Sequence, residues 1–279
     1  MRAKPILLAL AAIGLFAVMN VLIKHLSFYY DTLQVAFVRY LSAGLVALLW
    51  VWRMRPGWPA IDVVEGNVLR GVLSLATGLS FFYALALLPL ADAIALSFLA
   101  PVFMMIFSSL FLKERPGLLG LLAIAFGFAG MLVMLWGKLE SDGRSLWGVS
   151  ASVFSAVTYA LSMILLRSRA QRDPVALIVF FQSWIPALLI APMAGTAWEP
   201  LAYQDIAPFA ALGVLGVTAH LLMATAYSRA SAATLAPIEY SALIWAALLG
   251  FFIFAEMPTW RTLAGAALIV AGSLLTSRR

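Results

Sequence analysis

The chain has no cysteine and only two histidines, and Asp, Glu, Lys and Arg together supply just 11% of its 279 residues. Without cysteine there is no disulfide, no thiolate metal site and no thiol nucleophile. The shortage of charge excludes more. A soluble domain is typically about a quarter charged, so these few ionic groups cannot cover a water-exposed surface. A soluble enzyme, a nucleic-acid-binding protein and a secreted disulfide scaffold all fit poorly. What is present is apolar: 64% of residues are hydrophobic, and the mean hydropathy is +1.02. The sequence therefore describes an integral membrane protein. At roughly 20 residues per spanning helix and loops of about 5, it holds about ten spans and no sizeable soluble domain. Its net charge of +6 then points to a membrane face rather than to nucleic acid, because Lys and Arg collect on the cytoplasmic side.

Apolar runs separated by charge, Pro or Gly fall at 5–23, 33–52, 67–88, 91–112, 117–137, 146–166, 175–193, 206–228, 232–254 and 260–276. The first follows Arg2 and Lys4 but is long enough to span and lacks a small-residue cleavage site, so it is expected to be a helix rather than a removed signal. With a cytoplasmic N-terminus, 13 of the 18 basic residues lie inside, including Arg53, Arg70, Lys113, Arg167 and the terminal Arg278 and Arg279. An even number of spans returns the C-terminus to that face. Ten helices with both termini cytoplasmic are expected.

The chain also repeats itself. At an offset of 142 residues, Pro89–Pro116 lies without gaps on Ser231–Pro258, so that Glu114 meets Glu256, Pro116 meets Pro258 and Ala100 meets Ala242. With one residue of slip, Phe16 and Lys24 meet Tyr159 and Arg167. Two units are expected, 1–140 and 141–279, each of five helices. Five is odd, so the second copy must enter the membrane upside down. The expected fold class is an all-α integral membrane protein of ten transmembrane helices in two inverted five-helix repeats. Such repeats recur in secondary transporters, with the substrate near the midplane at the repeat interface.

Ser97-Phe98-Leu99-Ala100-Pro101 followed by Phe111 to Pro116, echoed by Ala236-Pro237-Ile238-Glu239-Tyr240 followed by Phe254 to Pro258, resembles the EamA domains of the drug/metabolite transporter superfamily. The resemblance covers nearly the whole chain as two tandem units. It implies a ten-helix transporter of the bacterial cytoplasmic (inner) membrane, with a cavity between the halves, a small organic substrate and no cofactor. Aromatic amino-acid exporters of the YddG type are the functional match it suggests. Uptake of another metabolite, such as S-adenosylmethionine or riboflavin, is the alternative, and monomer and homodimer both stand open.

Ionisable groups inside a span are costly in lipid and face protein or a watery cavity. Glu239 leads the candidates, two residues after Pro237 and at the head of a stripe formed by Ala242, Ala246 and Gly250. It would bind a substrate ammonium or exchange a proton; the plainer alternative is a hydrogen bond to a neighbouring helix. His220 stands on a face with Gly213 and Gly216 and could donate to a carboxylate or amide, or simply tie two helices together. Asn20, Tyr83, Ser97, Tyr159, Ser162 and Tyr240 lie in helices that the resemblance assigns to the cavity wall. Arg39 is expected to snorkel outward and Lys24 to anchor at the interface. Trp50, Trp52, Trp58, Trp136, Trp147, Trp184 and Trp198 are expected in the interfacial belts. Pro101 and Pro237 interrupt corresponding helices and are candidate hinges, with a static kink as the alternative. Gly120, Gly127 and Gly130, with Gly265 and Gly272, suit close helix packing inside the chain.

No metal cluster is expected from two histidines and no cysteine. An intramembrane enzyme would need a constellation such as HExxH or paired Asp residues, and an ATP-driven pump a phosphate-binding Gly-rich loop; the sequence has none of these. A channel would need a charged ring or filter, and none is evident.

Overall fold

The computed structural model describes residues 3–54, 57, 59–111, 118–139, 143–169, 173–196, 198–227 and 241–277. Among these every regular element is helical. In chain order they are α1 Ala3–Leu26, α2 Thr32–Met54, α3 Ile61–Leu87, α4 Leu90–Ser97, α5 Ala100–Phe111, α6 Leu118–Leu139, α7 Gly143–Arg169, α8 Val175–Thr196, α9 Ile206–Tyr227, α10 Ser241–Phe254 and α11 Trp260–Ser277. Helix is the only open structure that can carry such apolar runs through lipid, because it satisfies its own backbone polar groups. Seven segments are long and apolar enough to cross a membrane, one of them Leu90–Phe107 across α4 and α5, and Leu118–Met134, Ser241–Phe254 and Trp260–Gly272 are shorter apolar helices.

Two boundaries differ from the sequence pattern. α3 starts at Ile61, six residues before the apolar run, with Asp62 in its first turn where the helix dipole favours a negative charge. Arg70 is thereby carried inside the helix and is 4% exposed, rather than resting at a membrane face. The fourth apolar run, expected to be one helix, breaks into α4 and α5 at Phe98 and Leu99, whose N–H groups turn back to Ala95 and Leu96. Pro101 explains the break: it has no N–H to give Ser97, and its ring would collide with that carbonyl. Pro101 thus sits in the first turn of α5, not within a continuous helix.

Packing joins the two halves of the chain throughout. α6 pairs with α11, α3 with α7, α1 with α9, and α2 with both α8 and α9. Exchanging the halves, with α1, α2, α3, α4–α5 and α6 taking the places of α7 to α11, leaves this scheme unchanged. The α3–α7 contact becomes α9–α1, and α2–α9 becomes α8–α3. The α2–α8, α4–α10 and α6–α11 contacts map onto themselves. The α6–α11 contact needs glycine: a Cβ on Gly130 would lie 2.5 Å from the Gly265 carbonyl oxygen, and one on Gly265 would lie 2.6 Å from that of Gly130. Gly78 is equally constrained, because the Tyr40 hydroxyl lies 2.0 Å from the place of its Cβ. That hydroxyl donates to the Ser74 carbonyl at 2.7 Å and ties α2 to α3.

Candidate functional site

At one end of the bundle, the joint between α3 and α4 is only Leu88 and Pro89. A helix end exposes unpaired carbonyls and a helix start exposes unpaired N–H groups. Here two charged side chains take both. Lys24, 3% exposed at the end of α1, donates from Nζ to the Leu85 carbonyl at 3.0 Å and to that of Leu88. It also pairs with Glu256 at 2.9 Å. The other Glu256 oxygen accepts the Leu90 N–H at 2.8 Å, and that oxygen lies 3.2 Å from where a Cβ on Gly250 would stand. Glu256 is brought back over α10 by Ala255, whose φ of 54° is left-handed and whose N–H bonds to the Phe251 carbonyl, an αL cap. Lys24 is therefore no interfacial anchor: it is a buried tie between α1, α3, α4 and the end of α10.

The same end carries two further clamps. Tyr30 donates to Asp205 at 2.8 Å and accepts from the Ala202 N–H at 2.9 Å. Gln34, fully buried, donates to the Glu199 carbonyl at 2.7 Å and accepts its N–H at 2.9 Å. These bonds hold the segment before α9 against the α1–α2 turn.

The interior is charged differently. Arg39 does not snorkel outward. Its guanidinium lies over the Tyr40 and Phe82 rings, 4.8 and 5.8 Å from their centroids, and one of its terminal nitrogens is 3.5 Å from where a Cβ on Gly216 would be. Its Nε is buried without a hydrogen-bond partner. Below it, His220 on α9 keeps accessible surface although Phe16 of α1 packs edge-on at 4.9 Å. Its Nδ1 lies 2.7 Å from the Gly216 carbonyl, the partner of a donating N–H, which leaves Nε2 free to accept when the ring is neutral. Arg70 on α3 donates through one terminal nitrogen to Gln182 of α8 at 2.8 Å, while its Nε and other terminal nitrogen are buried and unpartnered. Among the described residues the ion pair of Lys24 and Glu256 is the only one, so neither arginine has a carboxylate partner there.

The remaining candidates are dispersed. Asn20 faces a small pocket of about 30 Å³, room for about one water, shared with Phe16, Leu90, Ala242 and Ala246. The Ala242, Ala246 and Gly250 stripe thus faces the interior. Tyr83, 43% exposed, lines a separate open cavity of about 600 Å³ with Asp31, Ser80, Trp147 and Phe154. Tyr159 is likewise 43% exposed, and Ser162 is buried in α7. Ser97 donates to its own helix at Ile94, 2.7 Å away. Glu239, Tyr240 and Pro237 lie outside the described residues. Trp184 leaves the interfacial belt: its Nε1 donates to the Gly44 carbonyl at 2.9 Å inside the α2–α8 contact. Arg39, Arg70 and the Lys24–Glu256 pair are the groups that pattern reading undervalued. The available signal was their depth within, or shared end of, the spans.

An apolar bundle of long helices with buried basic groups at its centre is an integral membrane protein built around a polar interior. The model of the EamA-like transporter family matches the chain twice, over residues 3–136 and 146–278, and the chain belongs to that family. It is accordingly a membrane transporter with a small-molecule substrate. A pseudopaline exporter of Pseudomonas aeruginosa is 29% identical over 98% of this chain and 95% of its own length. An S-adenosylmethionine uptake transporter of Rickettsia felis is 26% identical over 91% of this chain and 86% of its own. A protein solved by crystallography shares the fold, with a TM-score of 0.64 at 21% identity over 99% of this chain and 96% of that one.

Proposed function

We propose that the protein is a secondary transporter of the bacterial cytoplasmic membrane: ten helices in two inverted five-helix repeats, both termini cytoplasmic, working by alternating access. The observation that carries this is the set of principal helix pairings, which survives exchange of the two halves. Two arrangements related by such an exchange have similar energies and, if the repeats are inverted, open to opposite sides. The Phe98–Leu99 break before Pro101 would absorb the movement, and Pro237, in the corresponding span by sequence, is the second proposed hinge.

The substrate we propose is an aromatic or other neutral amino acid, moved outward. Tyr40 and Phe82 beside Arg39, and Phe16 packed on His220, suit an amphiphilic solute. Asn20, Tyr83, Ser97, Tyr159, Ser162 and Tyr240 are the proposed polar wall, and Glu239 the partner of a substrate ammonium or of a coupled proton. Uptake is the second reading, supported by the relative named for S-adenosylmethionine uptake. Liposomes containing the purified protein, offered a panel of amino acids and other metabolites with and without a pH gradient, test both. Saturable flux of a neutral amino acid, accelerated by the same solute on the opposite side, is expected. Flux confined to another metabolite overturns the substrate and leaves the transporter. Glu239→Gln is expected to lose most of the flux or its pH dependence; wild-type behaviour removes its proposed role.

A further inference from the structure

Lys24 shows how this fold treats a buried cation that serves structure: two carbonyls and a carboxylate are brought to its ammonium. Arg70 is buried and Arg39 half-buried in the same bundle, with three buried nitrogens between them left without a partner and no carboxylate paired to either among the described residues. Removing an ion from water costs several kcal/mol unless a counter-charge and hydrogen bonds replace the water. The aromatic faces of Tyr40 and Phe82 hold the plane of the Arg39 guanidinium but offer nothing to its in-plane N–H groups. That planar fork matches a carboxylate in bidentate fashion, as a lysine would not.

The two arginines also stand at different depths. Arg39 lies over Phe82, and Phe82 is twelve residues along α3 from Arg70. At 1.5 Å per residue this is about 18 Å, more than half of a hydrocarbon core of about 30 Å. His220 stands one turn along α9 from Gly216, which Arg39 approaches, and adds a polar edge on that helix. Both guanidiniums are set on helices whose partners cross the two halves: Arg39 on α2 against α9, and Arg70 on α3 against α8.

We propose that Arg39 and Arg70 are two successive binding stations for the carboxylate of the transported solute, so that the substrate class is a carboxylate-bearing organic molecule, held in turn at either depth of one pathway. The proposal rests on the transporter reading above and sharpens its substrate class. An amino acid satisfies it, and so does a larger amino-carboxylate; a purely cationic or uncharged solute does not.

The test uses the full-length protein in detergent, with phenylglyoxal as the arginine-directed probe and peptide mass spectrometry to read the labelling of Arg39 and Arg70 separately. The competitors are L-phenylalanine, L-phenylalaninamide, citrate and phenyl phosphate. A carboxylate at about ten times its dissociation constant is expected to slow labelling of Arg39 about tenfold, with a smaller effect at Arg70, while the amide does neither. Arg39→Lys is expected to fold, to keep its thermal transition, and to abolish the thermal upshift that the carboxylate gives to wild type. Equal protection by acid and amide, protection by phenyl phosphate alone, or no protection by any carboxylate overturns the proposal. Faster labelling of Arg39 in Glu239→Gln without any competitor also overturns it, by showing that the protein supplies the counter-charge itself. Flux in liposomes separates this from the parent reading. Transport of amide and acid at one rate removes the carboxylate stations and leaves a transporter, whereas no flux of any metabolite removes the transporter reading itself.

Discussion

Lys24 and Arg39 are both cations on the first two helices, fifteen residues apart, and the fold treats them in opposite ways. Lys24 meets two carbonyls and a carboxylate, and the carboxylate in turn caps the next helix. Arg39 meets two aromatic faces and keeps a buried N–H unused. The first arrangement closes a joint; the second leaves one open. In a membrane protein this separates charge that holds helices together from charge held ready for something absent, and the separation is visible from partners alone, before any substrate is known.

The contrast can be broken most decisively at Lys24. Lys24→Met leaves Glu256 and two helix-end carbonyls without their cation, and is expected to cost about 3–5 kcal/mol of stability, read as a lowered thermal transition in detergent. Adding Glu256→Gln should recover part of that loss, and strict additivity of the two changes would show that the pair is not coupled. Tyr30→Phe removes both bonds of the neighbouring clamp and is expected to cost about 1–3 kcal/mol, measured by the same transition. Arg39→Gln should move stability by no more than about 0.5 kcal/mol or raise it slightly, since it removes an ion without a partner. A large loss there would place Arg39 in the same structural class as Lys24. Ala255→Gly is a small effect of opposite sign: it relieves a left-handed alanine that costs about 1–2 kcal/mol and adds unfolded-chain freedom that offsets most of it, for a net gain of about 0.5 kcal/mol or less, read from the same transition.

Much of the fold was legible in the sequence because lipid imposes one rule on every span. Apolar length located the helices, and helical spacing put Ala242, Ala246 and Gly250 on one face, which the structure turns inward. Of the glycines expected to pack closely, Gly130 of α6 and Gly265 of α11 meet each other, and Gly127 packs on Val102 and Leu99. The start of α3 was missed because its first turns are polar, and hydropathy is blind to a helix that begins in water; Arg70 was misplaced with it. Lys24 was misread for a related reason. A lysine near a helix end is ordinarily solvated, and only the return of the chain at Glu256, more than two hundred residues later, shows what it holds. Arg39 could be recognised as intramembrane, but whether it turned inward depended on Gly216 leaving room for it, which is a tertiary fact.

The short helix α4 carries a last consequence. It belongs by sequence to the first half, yet its polar bonds run to the second. Leu90 binds Glu256, Asp92 accepts from Thr262 at 2.6 Å, and Ser152 of α7 donates to the Ala93 carbonyl at 3.2 Å. It packs against α7, α10 and α11, and the break at Phe98 and Leu99 uncouples it from α5. Ancestry and mechanics therefore divide this molecule along different lines. A half expressed alone would retain its pedigree and lose its neighbours, and two separately made halves would have to find each other before either had a finished surface.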